Sequence, residues 1–247
     1  MNRLFLFLPL FLLAIPSAAQ DDEGLPFEDE QEREVSHGGI FGGGGGVSAT
    51  WHFLNTDILN AELAHKNFPT VDRDGMFLFG GHGYAYIVVI PNLRVGGFGA
   101  GGSVTASKSD GYLYHEVKFS TDMGGATVEY VIPFGRFHLT PGIALGGGTN
   151  TLVLTRLDEG SKSWPLLPKT GNTREEFTNG FFLWMPQLSL EYEIHPLAVV
   201  SIAGGYLGMS GDEWKLDERF PVTGTPAFNF GRAFVRANLT VGFFISE

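Results

Sequence analysis

Two sets of residues in this sequence have the types and spacings that chemistry uses. The first is glycine-rich. Gly97-Phe98-Gly99-Ala100-Gly101-Gly102 fits the GxGxxG pattern of dinucleotide sites. That pattern works where a strand turns into a helix, so that backbone N–H groups meet a pyrophosphate. Here it runs into Ser103-Val104-Thr105-Ala106-Ser107, another strand-like run, and nucleotide binding is not expected. Gly42–Gly46 lacks the Gly-Lys-Ser/Thr ending of a P-loop. Asp72-Arg73-Asp74-Gly75 begins like a calcium loop but lacks the later ligands and the glutamate, so it reads as a turn with glycine at the bend. His52, His65, His82, His115, His138 and His195 are scattered, and no serine sits beside one in a recognisable nucleophile motif. No catalytic residue, cofactor site or metal ligand is assigned.

The second set is charged. Arg232 and Arg236 lie on one face of the last strand-like segment, and Glu191 and Glu193 on one face of another. Arg94 joins them, and Glu116, Lys118, His138 and Arg156 follow with a less defined phase. On both segments the opposite face is apolar. If the apolar faces meet lipid, these charges point into a barrel. Charges in a narrow, low-dielectric lumen must pair or they are costly. The interior of an eight-stranded barrel is just wide enough for side chains to fill. A lumen network of Arg232, Arg236, Glu191, Glu193 and Arg94 is therefore expected to plug the barrel, with a gated polar path as the alternative.

The elements that would position these charges are strands. From Ala233 every odd residue is apolar (Ala233, Val235, Ala237, Leu239, Val241, Phe243, Ile245), while Arg232, Arg236 and Asn238 hold even positions. A period of two is the strand signal. The run exceeds the ~9–11 residues that a tilted membrane strand needs. Seven more candidates precede it: 40–53, 76–90, 93–107, 112–132, 137–155, 181–194 and 197–209. In 112–132 the apolar phase moves from odd (Leu113, Val117, Phe119) to even (Ala126, Val128, Tyr130, Ile132), and Gly124-Gly125 at the change suggests a β-bulge. Short turns fall at Pro91-Asn92, Pro133–Arg136 and His195-Pro196. Long links fall at 54–75, 157–178 and 210–226, with Lys108–Gly111 the brief exception. Within the first long link, 55–66 reads as a short helix capped by Asn55 or Thr56. Within the second, Trp164, Pro165, Leu166, Leu167 and Pro168 suggest a loop folded over something.

Composition agrees with one β-domain, since 35 glycines, 13% aromatics and only 17% charged residues suit strands and turns. Residues 1–19 read as a secretory signal peptide, with Arg3, an apolar run from Leu4 to Ile15, and Ser17-Ala18-Ala19 at the cleavage site. Residues 20–36 read as an acidic disordered leader, which carries most of the formal charge of −11. The absence of cysteine excludes a lipid anchor on an N-terminal cysteine and any disulfide framework. With no basic face, nucleic acid is not an expected partner.

Signal peptide, eight amphipathic strands, alternating turn lengths and an amphipathic final strand together resemble the small outer-membrane β-barrels of Gram-negative bacteria, of OmpA/OmpX-like architecture. The resemblance is one of pattern and covers about residue 37 to the end. It departs at the terminus, where such chains usually close on an aromatic and this one ends Phe243-Phe244-Ile245-Ser246-Glu247. It implies an all-β, eight-stranded antiparallel up-and-down transmembrane barrel over 37–247, monomeric, in contact with outer-membrane lipid, with both termini periplasmic. The function expected is that of a non-enzymatic envelope scaffold whose long loops carry contact or lipid and ligand recognition. The alternatives are a lipid-modifying enzyme with a rim site, a small pore or ligand carrier, and a soluble periplasmic barrel or sandwich with the faces reversed.

Overall fold

Strands leave backbone donors and acceptors along their edges, and a sheet that closes on itself satisfies them all. The computed structural model, which describes residues 40–71, 74–158, 172–211, 213–225 and 230–246, closes in this way. Its long strands are β1 (Ile40–His52), β2 (Met76–Tyr86), β3 (Leu93–Ser109), β4 (Leu113–Tyr130), β5 (Phe137–Asp158), β6 (Thr173–His195), β7 (Ala198–Tyr206) and β8 (Ala233–Ser246). Each pairs antiparallel with the next, and β8 closes on β1 from Ile40↔Ser246 to His52↔Phe234. This is an eight-stranded antiparallel up-and-down barrel. The expected signal peptide, the acidic leader and the Trp164–Pro168 run lie outside the described residues.

The wall changes sense along its length. In the half that carries the short turns, Val47, Val95, Val128, Leu145, Leu190, Ile202, Leu239 and Val241 are exposed on the outer face. The inner face there buries Ser48, Thr50, Arg94, Thr127, Glu129, Gln187, Glu191, Ser201, Arg236 and Thr240. Apolar outside and polar inside is the pattern of a membrane-spanning barrel. Aromatics collect toward both ends of the belt: Trp51, Phe77, Trp184 and Tyr206 at one, Tyr130, Phe137 and Tyr192 at the other. In the other half of the barrel the sense is that of a soluble protein. Met76, Leu78, Val117, Phe119, Leu152, Leu154 and Phe181 are buried inside, while Ser103, Thr105, Lys118 and Asp122 face outward and are exposed.

Strand β4 makes this change within one element, and it corrects the bulge expected at Gly124-Gly125. Its register is unbroken on both sides, from Leu93↔Tyr130 to Ser109↔Tyr114 with β3 and from Leu113↔Asp158 to Glu129↔Gly142 with β5. Odd residues point inward throughout: His115, Val117, Phe119 and Met123 above, Thr127 and Glu129 below. The apolar phase shifts because the surroundings change, from water beside Lys118 and Asp122 to an apolar belt at Ala126, Val128 and Tyr130. The one irregularity of register in the wall pairings lies between β6 and β7, at Glu193/His195.

Strand lengths fit the same division. β7 has 9 residues and β2 has 11, enough to cross a bilayer at a tilt. β5 with 22 and β6 with 23 project well beyond it. β6 therefore begins at Thr173, eight residues before the expected Phe181. β2 ends at Tyr86, and Ile87–Asn92 forms the turn, with Asn92 at φ +62°. β7 ends at Tyr206. The next strand, Gly208–Gly211, pairs with β6 through Trp184↔Gly208.

The projecting half is a folded head. Helix α1 (Asp57–His65), N-capped at Thr56, buries Leu59 and Leu63 against it. The Asn60 side-chain amide donates to the Thr56 hydroxyl at 3.1 Å and to the Val71 carbonyl at 3.0 Å, and its oxygen accepts the Val71 N–H at 2.9 Å. This fastens the return from the helix. Gly75, at the bend of the acidic turn, sits at φ +143° with its would-be Cβ 2.5 Å from the His52 carbonyl oxygen, so no side chain fits. In the β3–β4 turn the exposed Asp110 carboxylate accepts the N–H groups of Tyr112 at 3.0 Å and Leu113 at 2.8 Å. These bonds hold its pKa below the usual carboxylate range. A depressed folded-state pKa gives support that is present above the unfolded value and lost as pH falls through the folded one. Protection of the Tyr112 and Leu113 amides from exchange, relative to their intrinsic rates, is expected to be lost only below the ordinary Asp range, and in Asp110→Ala to be absent at every pH.

The belt itself makes a stability prediction. Leu239→Arg is expected to cost about 2–4 kcal/mol when the barrel is unfolded by urea from vesicles, the depth-dependent cost of an arginine facing lipid. Thr105→Arg, on the outer face of the head, is expected to stay within about 0.5 kcal/mol. Equal costs at both positions contradict a lipid-facing belt.

Candidate functional site

Four strands converge on a chain of polar side chains in the belt half of the lumen. Arg94 of β3 donates from Nε to Glu129 Oε2 of β4 at 2.7 Å and from Nη1 to Glu191 Oε2 of β6 at 3.0 Å. Its Nη2 donates to the other oxygen of Glu191. Glu129 Oε1 accepts from the Gln187 amide at 2.6 Å, and Arg236 of β8 donates to Gln187 Oε1. The order is Glu191–Arg94–Glu129–Gln187–Arg236, two arginines against two glutamates, so the buried set is neutral. Tyr84 of β2 lies with its ring centroid 4.0 Å from the Arg94 guanidinium carbon. A Cβ at Gly142 would stand 2.6 Å from Glu129 Cγ, so glycine there makes the room that Glu129 occupies.

Of the five charges expected in the lumen, the structure joins Arg94, Glu191 and Arg236. Glu129 and Gln187 complete the chain. Sequence reasoning passed over both: Glu129 follows Val128 in a run read as apolar, and Gln187 carries no charge. Arg232 lies elsewhere, at the head end of β8, half exposed and donating to Asn55 Oδ1 at 3.1 Å, with Asp57 at 3.9 Å. It stands just before β8, where the strand's inward side already opens to the head. Glu193 is half-buried toward the short-turn rim, two residues beyond Glu191. Glu116 takes a 2.7 Å bond from the Tyr114 hydroxyl, and Lys118 and Arg156 are exposed.

Beside this chain His82, Tyr84, Arg94, Arg236, Asn238 and Thr240 line a chamber of about 30 Å³. Above it Phe98, Met123, Met185, Leu207 and Phe234 surround a void of about 10 Å³. Voids of this size take one or two water molecules. His82 Nε2 and Thr240 Oγ1 stand 2.8 Å apart, a histidine–hydroxyl pair of the kind that nucleophilic catalysis employs. The pair faces the 30 Å³ chamber and not the rim, and its chamber has no room for a lipid substrate.

The larger opening is in the head. Leu59 and Leu63 of α1, Leu152 and Leu154 of β5, Phe177 of β6 and Trp214 line a pocket of about 200 Å³. Glu62 and Lys66 stand on one side of its mouth, Val222 to Thr225 on the other. The opposite wall is shaped by a small hairpin in which Lys215-Leu216 pairs with Phe220-Pro221 and with Phe177-Thr178. The sequence marked both the helix and the 210–226 link as loop features. Phe177 escaped because the Thr173–Asn179 run is too polar to show its alternation. Among the described residues, no cluster of histidine and acidic side chains could hold a metal ion.

No protein-family model matches the chain, and no curated protein matches it. Similar solved structures include Ail, the attachment invasion locus protein of Yersinia pestis, at 10% identity over 84% of this chain and 99% of that one, with a TM-score of 0.39. The same protein in complex with the heparin analogue sucrose octasulfate matches at 11% identity over the same shares, again at 0.39. The outer membrane protease OmpT from Escherichia coli matches at 7% identity over 85% and 96%, with a TM-score of 0.30. At these values no residue role carries over to this chain.

Proposed function

We propose that the protein is a non-enzymatic scaffold of a Gram-negative outer membrane, a monomeric barrel that holds a folded head above the lipid for contact and ligand recognition. The observation that carries this reading is the reversal of faces between the two halves of the barrel, joined to a lumen closed by a neutral ion-paired chain. Lipid is the partner of the lower half. The head, with α1 and the Trp214 hairpin, is the half that meets other molecules. Both ends of the barrel, Ile40 and Ser246, lie together at the short-turn rim, which an exported chain leaves on the periplasmic side. Pore formation is disfavoured by the size of the lumen voids, and a rim hydrolase by the enclosure of the His82–Thr240 pair.

The test is fractionation followed by electrophoresis of unboiled and boiled samples, with planar-bilayer recording of the same material. The expected result is an outer-membrane protein whose mobility shifts on heating and which shows no discrete conductance. A soluble periplasmic protein without a shift contradicts the membrane reading, and steady single-channel steps contradict the closed lumen.

A further inference from the structure

We infer that the head pocket is a binding site for one small, uncharged aromatic molecule of the size of phenol or indole. The inference rests on the membrane-scaffold reading and names what its head recognises. Its first support is the lining. The head holds an apolar core in which Leu54, Phe119, Phe181, Trp214 and Phe230 are buried, and interiors of that kind pack without voids larger than a water molecule. The pocket is the place where this core opens outward, so leucine and aromatic surface faces a space of about 200 Å³.

Size then limits the occupant. A dry cavity of about 150 Å³ lined by such residues takes benzene, and pockets for drug-sized ligands begin at about 300 Å³. One ring or one fused pair fits, and a long acyl chain does not. Charge limits it further. Glu62 on α1 and Lys66 at its C-cap place one charge of each sign at the mouth, so the charge facing a ligand sums to zero and favours neither an anion nor a cation. Thr223 and Thr225 offer hydroxyls to a single polar substituent.

The experiment uses the full barrel in phospholipid nanodiscs and 5-fluoroindole as probe, observed by fluorine NMR. Thr223→Trp and Thr225→Trp fill the pocket from its rim, where they leave the buried core untouched. The heat-dependent gel shift is recorded for each sample. The expected result is saturable broadening of the probe with the wild type, absent from empty nanodiscs and weakened at least about tenfold in both variants. Broadening no greater than in empty nanodiscs, or unchanged in shifted variants, overturns the site. Equally tight binding of the 2-carboxylate analogue overturns the uncharged class. A wild type that shows no gel shift overturns the membrane scaffold itself, which separates that failure from failure of the pocket.

Discussion

Arg94→Met is expected to lower the stability of the inserted barrel by about 3–5 kcal/mol, the cost of stripping one partner from a buried ion pair. Arg94 is 3% exposed and is the only direct cationic contact of both Glu129 and Glu191 among the ion pairs of the described lumen. Methionine fills much of its volume but leaves two buried carboxylates with no direct cationic contact and only Arg236, beyond Gln187, to balance them. The penalty arises from that pair and not from a lost packing contact, and this makes a second variant informative. Arg94→Met combined with Glu191→Gln leaves Glu129 and Arg236, one charge of each sign joined through Gln187, and is expected to recover most of the loss. Urea unfolding from vesicles, followed by tryptophan fluorescence, measures both. A single-variant cost below about 1 kcal/mol, the size of an exposed pair, contradicts a plug held by these groups.

Phe119→Ala is expected to cost about 3–5 kcal/mol, the usual range for removing a large buried aromatic. Phe119 is fully buried in the head, with its ring centroid 4.6 Å from that of Phe230. The damage should stay in the head, because the lower wall is held by lipid and by the ion-paired chain, neither of which Phe119 touches. Local opening of one part of a structure is the expected form of such damage. Limited proteolysis is expected to begin in residues 54–71, while the heat-dependent gel shift persists. Loss of the gel shift at the same time shows that head and belt form one unit.

The sequence carried the eight strands and most of their facing, because the outer belt alternates cleanly from Phe182 to Ile194 and from Val235 to Phe243. It also carried α1, whose cap and length read directly from the residues 55–66. Strand ends were less legible. The stretch 173–181 lies beyond the apolar belt, where the outer face is polar and Phe177 and Phe181 are the large apolar residues of the inner face. The bulge expected in β4 had the same origin: an apolar face that changes sides signals a register shift in a soluble sheet, and a change of surroundings in this one. Arg94, Glu191 and Arg236 were legible as inward charges because their neighbours are strongly apolar. Glu129, between Val128 and Tyr130, has the same setting and was passed over because the bulge expected at Gly124-Gly125 unsettled the facing of β4, and Arg232 was assigned by parity alone, which fails where the strand ends. The pocket was not legible, since it depends on how α1, β5 and the 214–225 segment meet.

The passage of the outer wall from water to lipid along β4 is tested directly by one measurement. The chain has no cysteine, so a single one can be placed and spin-labelled at Lys118 and, separately, at Val128, both outward on the same strand. In vesicles the label at 118 is expected to collide with a water-soluble nickel complex and the label at 128 with dissolved oxygen. The same preference for the nickel complex at both positions contradicts the account, because the belt would then face water.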